Sequence, residues 1–88
     1  MSTIKELRSK VNKVDAAIIK KLATRTKLIK KIGALKTKSG KKITDKKREQ
    51  ELMQFYQQIS LDYQLDPIFI KKLFKLIIAE SRRAQNCC

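Results

Sequence analysis

Histidine is missing altogether from these 88 residues, and tryptophan with it. Without the imidazole that most often serves as general base and metal ligand, most hydrolase and metal-site chemistries drop out. Proline occurs once and glycine twice. A chain so short of both, and dominated by Lys, Leu, Ile, Ala, Glu and Gln, favours an all-helical fold. Cysteine is confined to Cys87 and Cys88. Adjacent cysteines do not make a disulfide scaffold, so residues 86–88 are expected to form a frayed, reduced tail that oxidises between molecules in air. No apolar run approaches the ~20 residues of a membrane span, and the opening Met1-Ser2-Thr3-Ile4-Lys5-Glu6 lacks a signal peptide's apolar core. A cytoplasmic protein with no membrane partner is expected. No internal repeat is visible, and the length makes one domain with a small core.

What the chain does have is charge of one sign. Lys and Arg number 22 against eight Asp and Glu, a formal net charge of +14. Such an excess first suggests nucleic acid. Seventeen of the cations are lysines scattered along the chain, however, and only five are arginines. Where lysine is used so freely, the few arginines mark places that need a planar, two-pronged donor.

From Ile4 to Lys36 a seam recurs in alternating steps of four and three: Ile4, Arg8, Val11, Asp15, Ile18, Leu22, Arg25, Ile29, Ile32, Lys36. That is the period of one face of a packed helix. Six positions are aliphatic, and three of the other four are cations. A buried charge is costly unless paired, so cations in an apolar seam call for an anionic partner. Snorkelling of long stems to water explains one such cation more readily than three.

The first helix is predicted over about residues 3–38, stopped by Ser39-Gly40, with Gly33 permitting close approach of a neighbour. At 1.5 Å per residue it is ~50 Å long, against ~30 Å for a compact globule of this size. Much of the seam therefore projects beyond its own domain, and a second copy of the chain is the simplest cover. The second helix is predicted over about 45–63, capped by Asp45, with a buried face of Arg48, Leu52, Phe55, Ile59 and Asp62 or Tyr63. The third is predicted over about 66–85 from Asp66-Pro67, with the face Ile70, Phe74, Ile77, Ser81, Gln85. Phe55, Tyr56, Phe69 and Phe74 sit at helical spacing among Leu and Ile and are expected in the core. Ser81 and Gln85 either mark where the third helix leaves the core or line a polar pocket.

Arg25 and Lys36, eleven residues apart, point the same way with ~16 Å between their backbones, and a modest anion fits between their tips. Arg8 lies ~25 Å from Arg25 along the helix. It reaches only the equivalent site of a second, antiparallel chain, so the seam predicts a pocket shared across a dimer.

Leu7-Arg8, Asp15, Arg25, Ile32-Gly33-Ala34-Leu35-Lys36, Asp45, Arg48-Glu49, Leu65-Asp66-Pro67 and Ile77-Ile78-Ala79-Glu80-Ser81 with Gln85 fall in a fixed order and spacing. In this the chain resembles the all-helical chorismate mutases from Leu7 to Gln85, without a gap. The resemblance implies an intertwined homodimer of three-helix chains with two sites, each borrowing an arginine from its partner. It implies that Arg25 and the partner copy's Arg8 clamp the substrate carboxylates, supported by Arg48 and Ser81. Asp45 and Glu49 would hold the ring hydroxyl, Lys36 and Gln85 would face the ether oxygen, and Asp15 would pair within the seam.

The implied activity is the Claisen rearrangement of chorismate to prephenate, a step of the shikimate pathway toward phenylalanine and tyrosine. It needs no nucleophile, proton transfer, metal or cofactor. Positioning by arginines and preorganised donors at the ether oxygen suffice. No further regulatory or dehydratase segment is present, so a freestanding mutase is expected.

The lysine excess exceeds what the resemblance requires and is assigned to solvated faces and attraction of a dianion. Lys41-Lys42 borders the expected site, and Arg82-Arg83 stands outside the motif. Isochorismate pyruvate lyase, of the same fold, is the nearest rival; Asp45, Arg48-Glu49 and Ser81 match the mutase set. A basic nucleic-acid-binding protein would explain the charge but not the cations in the seam, and no nucleic-acid partner is expected. A structural coiled-coil dimer would leave those cations unpaired.

Overall fold

The computed structural model describes residues 3–40 and 46–86, without the side chains of Ser39, Gln85 and Asn86. The expected N-cap Asp45, the Lys41-Lys42 stretch and the Cys87-Cys88 pair lie outside the described residues. Three helices follow one another: α1 Ile4–Ser39, α2 Lys46–Asp62 and α3 Pro67–Asn86. Among the described residues there is no strand, and no helix is long and apolar enough to cross a membrane.

Local chemistry sets the helix ends. Thr3 caps α1, its hydroxyl accepting from the Glu6 amide at 3.1 Å. Glu6 stands three residues on, so the positive end of the helix dipole meets an acid in the first turn. At the other end Gly40 takes φ 75°, and its amide donates to the Lys36 and Thr37 carbonyls. Glycine adopts that left-handed conformation without the Cβ clash other residues meet. α2 ends differently. The Leu65 amide donates to the Ser60 carbonyl at 2.8 Å and the Gln64 amide to that of Leu61 at 3.2 Å. This is a Schellman closure in which Gln64, at φ 58°, occupies the position glycine usually takes. Asp66 then caps α3, its carboxylate accepting from the Ile68 amide at 2.9 Å, with Pro67 opening the helix where no amide is needed.

α3 packs against both α1 and α2, while among the described residues α1 and α2 do not meet directly. The core so formed is slight. Tyr56 and Ile78 are its buried apolar side chains, and Ser60 is buried at 1% exposure. The Ser60 hydroxyl donates to the Tyr56 carbonyl at 2.6 Å, so it enters the α2–α3 contact without an unsatisfied group. Beside it the Tyr56 and Phe74 rings stack with centroids 4.0 Å apart.

Two expectations about packing are corrected. The inner face of α2 is Glu49, Leu52, Met53, Tyr56, Ile59 and Ser60, turned by about one residue from the expected face. Arg48, Phe55, Asp62 and Tyr63 are exposed. Ser60 is small and its hydroxyl is satisfied within its own helix, so it can be buried on the inner face. Of the four aromatics expected in the core, Tyr56 is buried and Phe74 half-buried, but Phe55 and Phe69 are more than half exposed.

α1 is ~54 Å long by its rise per residue, and the molecule measures 57 × 26 × 16 Å. One helix therefore spans the whole length, and α2 and α3 support only part of it. Every described residue of α1 as far as Thr24 is exposed, including Ile4 at 69%, Val11 at 55% and Ile18 at 53%. Beyond that point Arg25, Ile29 and Lys36 are half-buried and Gly33 is buried.

Candidate active site

A cavity of about 870 Å³ lies where the C-terminal half of α1, α2 and α3 face one another. It is the space left because α3 holds both other helices while they do not touch. Ile29, Leu52, Tyr56, Ile59, Phe74 and Ile78 supply apolar wall, and Arg25, Lys36, Arg48 and Arg82 bring cations to it. Glu49 is the one carboxylate among the described residues that line it. Leu28, Ile32, Phe55 and Leu65, also on the wall, are each more than two-fifths exposed, so the cavity is open to solvent. Its volume is that of a small-molecule site, and its character is apolar with a few convergent charges.

Arg25 is anchored across to α3. Its Nη1 donates to the Ser81 hydroxyl, and that hydroxyl donates onward to the Ile77 carbonyl at 2.8 Å. The serine thus satisfies its own helix and fixes the guanidinium. Arg25 retains further donors in its planar fork for a ligand. Lys36, three turns along the same helix, is half-buried on the same wall. Arg48 borders the cavity from α2 with its side chain 63% exposed and 4.0 Å from Glu51 Oε2.

Five of the residues singled out in the sequence therefore come together here: Arg25, Lys36, Arg48, Glu49 and Ser81. Arg8 does not join them; it is exposed on the unsupported half of α1. Asp15 is exposed as well and forms no ion pair among the described residues. Asp45 lies outside the described residues, as does the side chain of Gln85, whose backbone belongs to the last turn of α3.

The residue that the sequence pattern passed over is Arg82. It lines the cavity and pairs with Glu49 across the α2–α3 interface. Its neighbour Arg83 turns outward and bonds Glu80 one turn back on its own helix, through Nε at 3.1 Å. That hydrogen bond, with the attraction of the same guanidinium, holds the exposed Glu80 carboxyl below its ordinary value. The one available signal was spacing, for Arg82 stands four residues after Ile78 and so on the inward side of α3.

Fold and cavity together define a three-helix protein with an apolar cavity lined by several cations. Residues 7–86 match the family model "Chorismate mutase type II", and the chain belongs to that family. Over 79 residues it is 36% identical to a bifunctional chorismate mutase/prephenate dehydratase of Buchnera aphidicola subsp. Acyrthosiphon pisum, covering 90% of this chain and 20% of that protein. It is 32% identical over 80 residues to the bifunctional protein of the same description from Escherichia coli K12, covering 91% and 21%. With a chorismate mutase of Methanocaldococcus jannaschii it shares 26% identity over 81 residues, 92% of this chain and 82% of that protein. The chain thus spans about a fifth of the length of the bifunctional relatives.

Proposed function

We propose that this chain is a chorismate mutase that rearranges chorismate to prephenate, as two of its copies joined in a homodimer. The observation that carries the reading is the Arg25 guanidinium fixed by Ser81 on the wall of a cavity that Lys36, Arg48 and Glu49 also line. A concerted Claisen shift needs what such a wall offers. The flexible dianion must be held in its compact conformer, which fixed guanidinium donors accomplish by orientation. Negative charge that grows on the ether oxygen must meet donors already in place, the role proposed for Lys36 and Gln85. Each is worth about 3 kcal/mol in a site shielded from water. Arg25 is assigned to a substrate carboxylate, with Arg48 and Ser81 in support, and Glu49 with Asp45 to the ring hydroxyl.

The dimer is supported by what one chain leaves uncovered. Among the described residues eighteen large apolar side chains are at least 38% exposed, seven of them between Ile4 and Leu22. A single chain of this size with so slight a core is marginal. A second groove of about 400 Å³, lined by Val14, Ala17, Ile18, Leu22, Leu73 and Ile77 among others, adjoins the cavity through Arg25 and Phe74. A helix from a second copy fits that groove. An antiparallel pairing of α1 helices would carry Arg8 of one copy to the site of the other, completing the carboxylate clamp. The cytoplasm is the compartment that goes with this reading, because the proposed substrate is a small intermediate of amino acid biosynthesis.

The test is direct. Purified protein should consume chorismate, followed by loss of its ultraviolet absorbance, with prephenate as product and no added metal or cofactor. Release of pyruvate from isochorismate in place of that rearrangement would reassign the chain to the lyase. Absence of either reaction, with tight and steeply salt-dependent nucleic-acid binding, would remove the enzymatic reading.

A further inference from the structure

Arg82 and Arg83 are adjacent, yet their surroundings differ. Arg83 is three-quarters exposed and its partner Glu80 belongs to the same helix. Arg82 instead spans from α3 to α2, its Nη2 bonded to Glu49 Oε1, with the Arg82 side chain 43% and the Glu49 side chain 26% exposed. Its Nε is buried and, among the described residues, has no hydrogen-bond partner. A guanidinium held with one donor buried and unmatched is in a conformation that costs free energy, and its contact with Glu49 offsets that cost.

Both groups line the cavity, where Glu49 is the one carboxylate among the described residues. A carboxylate is a poor neighbour for a dianionic ligand, since like charges at close range repel. It is nevertheless the best acceptor for a ligand hydroxyl. Arg82 resolves the conflict. It engages one oxygen of Glu49, leaves Oε2 to accept from a ligand, and offsets the charge.

We propose that Arg82 is a positioning and specificity residue, which orients Glu49 on the cavity wall so that a dianion carrying a hydroxyl group is admitted. The inference rests on the mutase reading and extends it to a residue outside the motif. Arg82 acts through Glu49, so its effect belongs to substrate binding and not to the bond-breaking step.

Steady-state rearrangement of chorismate by the full chain tests it, with circular dichroism to verify folding. Arg82→Met, which keeps the stem and removes the charge, should raise KM about tenfold and leave kcat within about twofold. Arg82→Lys, which restores a cation opposite Glu49, should return KM to within about threefold of the wild type. In a Glu49→Gln background, Arg82→Met should change KM less than about twofold, the signature of two residues acting as one unit. Should Arg82→Met not fold, Arg82→Gln carries the same expectations. An unchanged KM in the neutral variant would overturn the proposal. So would an equal penalty with and without the Glu49 carboxylate, or a loss confined to kcat. A wild-type chain that does not turn over chorismate would sink the mutase reading and this inference together; an active one indifferent to residue 82 would sink this inference alone.

Discussion

Along α1, the described residues as far as Thr24 are exposed, whereas Arg25, Ile29 and Lys36 are half-buried on the cavity wall and Gly33 is buried. The two halves share one helix, one spacing and the same mixture of aliphatic and cationic residues. They differ in how fully the other helices cover them: beside Val14 to Leu22 only the edge of α3 is near, through Leu73 and Ile77, and it leaves that stretch exposed. In the supported half a cation has an assigned neighbour, as Arg25 has in Ser81. In the other half Arg8 and Asp15 have no such company among the described residues, although the same apolar stripe runs past them. A periodic stripe therefore reports that a surface is to be covered, without saying by which chain. The unsupported half acquires its purpose only if a second copy supplies the cover.

Four experiments break or sharpen that contrast. The largest effect is expected in the supported half. Lys36→Ala should lower kcat/KM at least ~100-fold with helix content unchanged, because a donor at developing charge is lost. Near-normal turnover would remove Lys36 from its assigned role. Next comes exchange between the halves. Arg8→Ala and Arg25→Ala chains, each inactive alone, should on mixing recover about a quarter of wild-type activity, since random pairing leaves one site in four with both arginines. No recovery after verified subunit exchange would count against a shared site.

The third effect is on assembly. Ile18→Asp places a charge in the exposed apolar stripe and should weaken dimerisation ~100-fold or more, read by analytical ultracentrifugation. An unchanged sedimentation profile would mean that the stripe is not the interface. The smallest effects are at the helix ends. Thr3→Ala removes the α1 N-cap and should cost about 1 kcal/mol in denaturant unfolding. Gly40→Ala should cost about 1 kcal/mol through its left-handed φ alone, because an added Cβ would meet nothing within 4 Å.

The sequence made much of this legible. Scarcity of Pro and Gly, the step-of-three-and-four seam and the Asp66-Pro67 start all act locally, so the three helices could be read from single stretches of chain. The meeting of Arg25 and Lys36 could be anticipated from their spacing, and that of Arg48, Glu49 and Ser81 with them only from the resemblance to the all-helical chorismate mutases. What escaped was rotation. A helix turns ~100° per residue, so an error of one position moves a side chain to a different neighbour. On α2, Phe55 and Tyr56 are both aromatic and adjacent, and nothing local says which faces in. Ser60 turns in with Tyr56, its hydroxyl bonded within its own helix, a placement invisible to any reading of polarity. Arg82 and Arg83 pose the same ambiguity, which the spacing of Arg82 from Ile78 hints at and the position of Glu49 across the interface resolves. Gln64 gave no sign of its positive φ, because the usual marker of that conformation is glycine or asparagine.

Because Arg25 and Lys36 sit on one unbroken helix, the gap between these two cations is a count of residues. It changes only in jumps. One residue inserted between them would swing Lys36 by ~100° and point it off the wall, while seven would restore its phase but lengthen the span by ~10 Å. Intermediate gauges are inaccessible to insertion, so tuning for a slightly longer or shorter guest falls to side-chain reach, and a lysine with four rotatable methylenes is well suited to absorb it.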